Sequence, residues 1–302
     1  MSLKKKIKGK LNALIMKSQW YNENVFKGCK KFWNHSEFNL DVINLGSGAS
    51  FHAFNYTNLP VKGANFALPS QYLLADYEIL KNYSSFLRPG AHVILGTSLF
   101  SLDGYDVTFF DDRYYTFLYP SSIPNFSIQR LKKIRDVRYN PIAYYPLLSL
   151  VSEIIYRMSG RKMKNLPDNK FKDDAQRWME NCWAKEFSID DFEAPISIRN
   201  KDLSEQAIEI LVKIKKFCSD KKFELSIITP PISPELRDML TPKIREQYLN
   251  VFQRDKRLSD VRFINFIDDK EFDNHNLFQN AYFLNQRGAH LFTNKVLSIL
   301  NL

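Results

Sequence analysis

Short apolar blocks alternate along the chain with segments in which apolar residues recur every three or four positions. The blocks Leu40-Asp41-Val42-Ile43-Asn44-Leu45, Ala64–Leu68, His92–Gly96, Phe223–Ile228 and Val261–Phe266 predict buried β-strands. Tyr72, Leu73, Tyr77, Leu80 and Tyr83 predict a helix over 70–87, and Leu203, Ala207, Ile210, Leu211, Ile214 and Phe217 predict a second, with Ser204 or Asp202 as its N-cap. Further helices are expected over 234–253 and Gln286–Leu300, and two helical segments, broken near Ser18–Asn24, over 3–34. Strands that alternate with helices imply an α/β fold of three layers: a central parallel sheet between two layers of helices, in a flavodoxin-like arrangement.

Residues 105–200 interrupt this alternation. They are rich in aromatic and charged residues and contain Pro120, Pro124, Pro141, Pro146 and Pro167. Helices are expected near 127–135, 143–158 and 170–186. The stretch reads as a helical insertion, or lid, within one α/β domain over 36–302, preceded by a basic helical segment at 1–35. Its aromatic residues, Phe109-Phe110, Tyr114-Tyr115, Phe117, Tyr119 and Tyr144-Tyr145, are expected to form a local core, or alternatively a platform for sugar rings.

The candidate chemistry lies at the ends of the strands. The first strand runs into Gly46-Ser47-Gly48-Ala49-Ser50, which places small side chains and backbone N–H groups at the carboxyl edge of the sheet, where open α/β sheets bind ligands. Asn65-Phe66-Ala67-Leu68-Pro69-Ser70-Gln71 continues the second strand, Thr97-Ser98 the third and Thr229-Pro230-Pro231 the fourth; Asn280-Ala281-Tyr282-Phe283-Leu284-Asn285-Gln286-Arg287-Gly288-Ala289 leads into the last helix. Thr97-Ser98 apart, these segments in this order resemble the SGNH (GDSL-like) hydrolases, in particular the branch found among bacterial surface-polysaccharide biosynthesis proteins. The resemblance spans roughly 40–100 and 203–302 and leaves 105–200 unaccounted for.

The resemblance implies an SGNH hydrolase-type fold and a crevice formed by Gly46, Gly48, Asn65, Ser70, Thr97, Ser98, Asn280 and Asn285. It also exposes departures. Where that family has its nucleophilic serine this chain has Gly48, where it has the aspartate and histidine of the terminal block this chain has Asn280 and Phe283, and Ser70 replaces an oxyanion glycine. Glycine carries no nucleophile and phenylalanine accepts no proton, so the relay that activates a serine is missing. The expected function is therefore that of an SGNH-like protein of surface or capsular polysaccharide biosynthesis that binds a carbohydrate or an acyl-donor ligand, or partner enzymes of the same biosynthesis, without the usual triad.

Two alternatives stay open. One is an active carbohydrate esterase or O-acyltransferase in which Ser47 or Ser50 is the nucleophile and a displaced histidine, His275 or His52, the base. Backbone N–H groups of Gly46–Ser50, with Asn65 or Thr97-Ser98, would hold its oxyanion. The other is a membrane-surface adaptor acting through the basic N-terminal segment. His35, His92 and His290 read as structural or surface residues, Asp111-Asp112, Asp190-Asp191 and Asp268-Asp269 as solvated carboxylates, and Asp103 as an outlying acid near the crevice. No metal site and no cofactor are expected.

Composition adds one change to this picture. The 302 residues are 44% hydrophobic and 14% aromatic, values of a globular chain. The formal charge is +10, with much of the excess in 4–31 and 130–172. No nucleic-acid signature accompanies it and no nucleic-acid partner is expected; weak contact with an anionic membrane surface is. No apolar run reaches the length of a membrane span, and the N-terminus lacks a small-residue cleavage site, so the expected location is cytoplasmic, with membrane association as an addition. Cys29, Cys182 and Cys218 are too widely spaced to suggest a disulfide framework.

Overall fold

A computed structural model describes residues 3–18, 21, 26, 28–33, 35–97, 102, 110–144, 151, 154–155 and 165–302. The chain divides into two compact units: residues 1–36 with 107–164, and residues 37–106 with 165–302. This division cuts the expected insertion at 164. Its first part belongs with the N-terminal segment, its last 36 residues with the α/β unit.

The α/β unit is built on five parallel strands, β1 (Leu40–Gly46), β2 (Gly63–Asn65), β3 (Leu87–Gly96), β4 (Glu224–Thr229) and β5 (Arg262–Asn265), in the order β2-β1-β3-β4-β5. This is the doubly wound, flavodoxin-like order, in which the chain reverses its direction of sheet growth between β1 and β3 and opens a crevice at their carboxyl ends. The register pairs Gly46 with Gly96 at that edge. Val42, Ile43, Leu45 and Val93–Leu95 are fully buried, as expected of strands covered on both faces.

Helices cover the sheet on both faces. The helix Leu73–Tyr83 packs on the helix Ile198–Lys221, with the Tyr77 and Phe217 rings edge to face at 6.2 Å. The short helix Gly48–Ala53 packs on the closing helix Gln286–Leu300, where the Asn55 N–H donates to Thr293 Oγ1 at 2.8 Å and Phe54 meets Phe292 at 5.2 Å.

Local chemistry accounts for three departures from the sequence reading. The helix Ile198–Lys221 starts one to two turns early because Ser197, not Ser204 or Asp202, accepts the capping bond, from Asn200 N. Pro89-Gly90 does not precede β3 but lies within it, at a shift of register between Leu40↔Leu87 and Val42↔His92, with Gly90 at φ +74°. The expected helix 234–253 breaks into shorter turns, because Thr241 caps a new start at Pro242.

The part of the insertion that joins the α/β unit is one helical run, Phe171–Arg177, Trp178–Trp183 and Ala184–Phe187, the middle segment being a π-helix. Phe171, Ala175, Met179, Trp183 and Phe187, spaced by four, are all buried in the core shared with Tyr282 and Leu236. A spacing of four drifts around an ordinary α-helix; the π segment winds more slowly and holds these residues on one side.

In the other unit, the helix Leu3–Met16 is tied to the end of the helix Ile128–Tyr139. Asn12 Nδ2 donates to Asn140 Oδ1 at 2.9 Å, and Ile142 N donates to Asn12 Oδ1 at 3.0 Å. Tyr21 Oη donates to the Arg138 carbonyl at 2.9 Å, Phe32 stacks on Phe117 at 4.2 Å, and the Arg138 guanidinium lies 3.9 Å over Trp33. These contacts join the basic N-terminal segment to residues 110–144. Asp111 pairs with Arg113 and Asp112 with Arg130.

Candidate active site

The turn after β1 is held from beneath by buried polar groups. Gly46 N donates to Asp76 Oδ1 at 2.6 Å, and Gln71 Nε2 donates to the same oxygen at 2.5 Å and to the Gly46 carbonyl at 3.2 Å. Asp76 is 1% exposed, and burial pushes its carboxyl up to about 7 even though these two donors favour the charged form. Ser70 adopts φ +49°, the left-handed region that glycine enters at least cost, so the backbone keeps a glycine-like bend where the resemblance expects glycine.

The two candidate nucleophiles separate sharply. Ser50 is fully buried; its hydroxyl donates to the Leu45 carbonyl at 2.6 Å and accepts from Asn44 Nδ2 at 3.0 Å. It is a strut between helix and strand, which corrects its candidacy as a nucleophile. Replacing Ser50 with alanine is expected to cost about 1–2 kcal/mol in urea unfolding through lost buried hydrogen bonds. Ser47 begins the helix Gly48–Ala53, is half-buried, and among the described residues its hydroxyl makes no hydrogen bond.

The expected bases are engaged elsewhere. His275 Nε2 lies 2.7 Å from Glu235 Oε1, its Nδ1 3.5 Å from Asp168, and its ring stacks on Phe171 at 4.1 Å. Neither serine is among its partners, so the expected Ser–His275 pair is not formed. His52 is near the turn but lies against Phe51 at 5.0 Å and Phe283 at 4.7 Å; burial lowers its pKa to about 4, leaving it neutral near pH 7. Among the described residues no histidine nitrogen contacts either serine hydroxyl.

Of the side chains expected to hold an oxyanion, Asn65 and Thr97 are engaged elsewhere. Asn65 Nδ2 donates to the Phe51 and Phe54 carbonyls at 3.0 and 2.9 Å, and its Oδ1 accepts from Asn44 Nδ2 and Ala67 N. Asn65 therefore fastens the end of the helix Gly48–Ala53 to β2, which corrects its assignment to oxyanion stabilisation. Thr97 Oγ1 bonds Thr229 Oγ1 at 3.0 Å across the ends of β3 and β4. Asn280 Oδ1 accepts from Tyr282 N and Phe283 N, and Asn285 Oδ1 caps the last helix through Arg287 N and Gly288 N. Ser98, Asp103, Phe109 and Tyr145 lie outside the described residues.

The turn and the approach to the last helix do meet. A Cβ added to Gly48 would lie 3.2 Å from Phe283 Cζ, so the two positions at which the resemblance expects nucleophile and base are in direct contact. Around Phe283 the rings of Tyr282 and Trp178 lie at 4.8 and 5.2 Å, beside His52 on the turn's own helix. Asp174 Oδ2 accepts from Ala281 N at 3.0 Å and the Ala281 carbonyl accepts from Ser233 N at 2.9 Å, which pins this segment. The space left between Ala49, Thr97, Thr229 and Tyr282 is about 10 Å³, room for one water at most. Trp178 and its neighbours were not legible as site residues: they belong to a segment without family resemblance, and only the fold brings them to the cleft.

A larger concavity of about 660 Å³ opens beside the edge strand β2 and is lined by Glu37, Phe38, Asn55, Tyr56, Val61 and Lys62, among others. Phe38 is 59% exposed and stacks on Phe86 at 4.7 Å. The Tyr56 ring covers Gly63, where a Cβ would approach it to 2.3 Å. Its hydroxyl is buried without a hydrogen-bond partner, and burial raises its pKa above the usual phenol value. The groove is thus lined by aromatic rings, a cation and a carboxylate.

No protein-family model matches the chain, and no curated protein matches it. Asp268 pairs with Arg245 and Asp269 with Lys295.

Proposed function

We propose that the protein is a non-hydrolytic, SGNH-like protein of surface-polysaccharide biosynthesis that binds a carbohydrate or acyl-bearing ligand and does not cleave it. The contact between Gly48 and Phe283 carries this reading. An aromatic side chain fills the place where a proton relay would have to stand, and the space between Ala49, Thr97, Thr229 and Tyr282 is too small for a sugar. The groove beside β2 is the better binding surface. Phe38 and Tyr56 supply flat apolar faces of the kind on which sugar rings stack, and Lys62 and Glu37 supply polar contacts at its rim.

The rival reading, an esterase or O-acyltransferase, draws support from the unengaged hydroxyl of Ser47. The purified chain is expected to hydrolyse p-nitrophenyl acetate and acetylated sugars no faster than buffer, and to bind surface-glycan oligosaccharides by calorimetry. Phe38→Ala is expected to weaken that binding at least about tenfold through loss of one stacking face. Esterase turnover that Ser47→Ala abolishes would overturn the non-hydrolytic reading. Glycan binding unaffected by Phe38→Ala would remove the groove from it.

A further inference from the structure

The +10 charge of the chain is the difference between two units of opposite sign. Residues 1–36 and 107–164 carry 19 lysines and arginines against 5 aspartates and glutamates, a net +14; the other 208 residues carry 24 against 28, a net −4. So steep a partition within one chain marks the smaller unit as the part that meets a polyanion.

Seven of its described cations stand out as exposed and unpaired. Lys5, Lys6, Lys8 and Lys10 on the helix Leu3–Met16, and Lys132, Lys133 and Arg135 on the helix Ile128–Tyr139, are exposed, and among the described residues none forms an ion pair. The same surfaces expose large apolar side chains. Ile7 and Leu14 are 51% and 56% exposed and, seven residues apart, share one side of their helix, whereas Asn12 and Ile15 face the packed side. Tyr139, Ile154 and Ile155 are more than half exposed.

Cations interleaved with exposed Ile, Leu and Tyr fit an acidic lipid surface, where the ammonium groups meet phosphates and the apolar side chains enter the headgroup boundary. A nucleic acid would use the cations and gain little from isoleucine and leucine. We propose that residues 1–36 and 107–164 together form a module that docks the protein on anionic phospholipid membranes. The module is the composite unit and not the N-terminal helix alone, because Asn12, Tyr21, Phe32 and Trp33 are bonded to or packed against residues 116–142. Among the described residues no helix is long and apolar enough to cross a membrane.

The test is co-sedimentation of the full chain with vesicles of phosphatidylcholine alone, or with about 30 mol% phosphatidylglycerol, at about 0.1 M and 0.5 M salt. Binding is expected only to the anionic vesicles and is expected to fall at the higher salt. Each exposed cation near the surface contributes roughly fivefold, so the triple reversals Lys5→Glu/Lys6→Glu/Lys8→Glu and Lys132→Glu/Lys133→Glu/Arg135→Glu should each weaken binding more than about tenfold. Ile7→Ser/Leu14→Ser should weaken it severalfold. The control Lys172→Glu/Lys185→Glu/Lys201→Glu makes the same charge change on the acidic unit and should leave binding intact. All variants change exposed residues, and unchanged circular dichroism confirms that they fold. Absence of binding to the anionic vesicles, or equal losses in the control, would overturn the proposal. So would tight binding of an RNA or DNA oligonucleotide with no vesicle binding, which would assign the unit to nucleic acid.

Discussion

Gly46→Ala is expected to destabilise the α/β unit by at least about 3 kcal/mol, a large share of the about 5–15 kcal/mol by which domains are stable. Gly46 sits at φ +120°, outside the range open to side-chain-bearing residues, and a Cβ there would lie 2.2 Å from the Gly96 carbonyl oxygen and 2.8 Å from Ser50 Cβ. The clash with the carbonyl is with backbone that pairs with β1, so relief requires parting the central strands of the sheet. Gly48→Ala, two residues on, is expected to cost less than about 1 kcal/mol, because the nearest atom is the edge of the Phe283 ring, a side chain that can tilt. Urea unfolding of both variants measures the contrast. Similar midpoints for the two would mean that the close approach of β1 and β3 does not set the requirement for glycine.

The second large effect is a dependence of stability on pH that runs opposite to that of most carboxylates. Asp76 is buried under the Gly46 turn with its folded-state carboxyl pushed up to about 7, whereas in the unfolded chain it titrates near 4. Between these values the folded state holds a proton that the unfolded state has released. The contribution of Asp76 is therefore fully present below about pH 4 and is lost as pH rises through about 7. The carboxamide introduced by Asp76→Asn would keep an oxygen for the donors Gly46 N and Gln71 Nε2 and carry no charge to bury. Asp76→Asn is thus expected to gain on the wild type by about 2–3 kcal/mol between pH 5 and pH 8 in urea unfolding, at roughly 1.4 kcal/mol per pH unit over the two units from 5 to 7. A difference between the two proteins that is flat across this range would show that Asp76 keeps an ordinary pKa. Asp76→Ala removes the acceptor as well, leaves two buried donors unpaired and should destabilise by about 2–4 kcal/mol near pH 5, and by less as pH rises through 7 and the wild type itself weakens.

Both effects arise at the turn where local pattern and three-dimensional packing bear on the same residues. A strand running into Gly-Ser-Gly announced a bend at the carboxyl edge of the sheet, and the bend is there. The residues singled out around it are present too, but several serve the scaffold. Ser50 is buried and Asn65 half-buried, and every side-chain donor of both is engaged. A hydroxyl or amide withdrawn from water without a partner is costly, and the fold supplies partners from adjacent backbone. A sequence reports that a serine is near a turn but not which way its hydroxyl points. Asp76 and Gln71, which hold the turn, gave only a weak signal, since a single acid in a helical stretch looks like any solvated acid until its burial is known.

The alternation of strands and helices, the closing helix from Gln286, and the presence of glycine at 48 and phenylalanine at 283, neither of which carries a nucleophile or a base, were all readable along the chain. Those are matters of local periodicity and residue chemistry, and neighbours within a few positions settle them. Three features could emerge only on folding: Phe283 stands against Gly48, Trp178 and Tyr282 close around it, and the first half of the insertion joins the N-terminal segment in a separate basic unit. Each depends on residues far apart in the chain meeting in space. Such meetings are selected by the packing of whole faces, which no local pattern encodes.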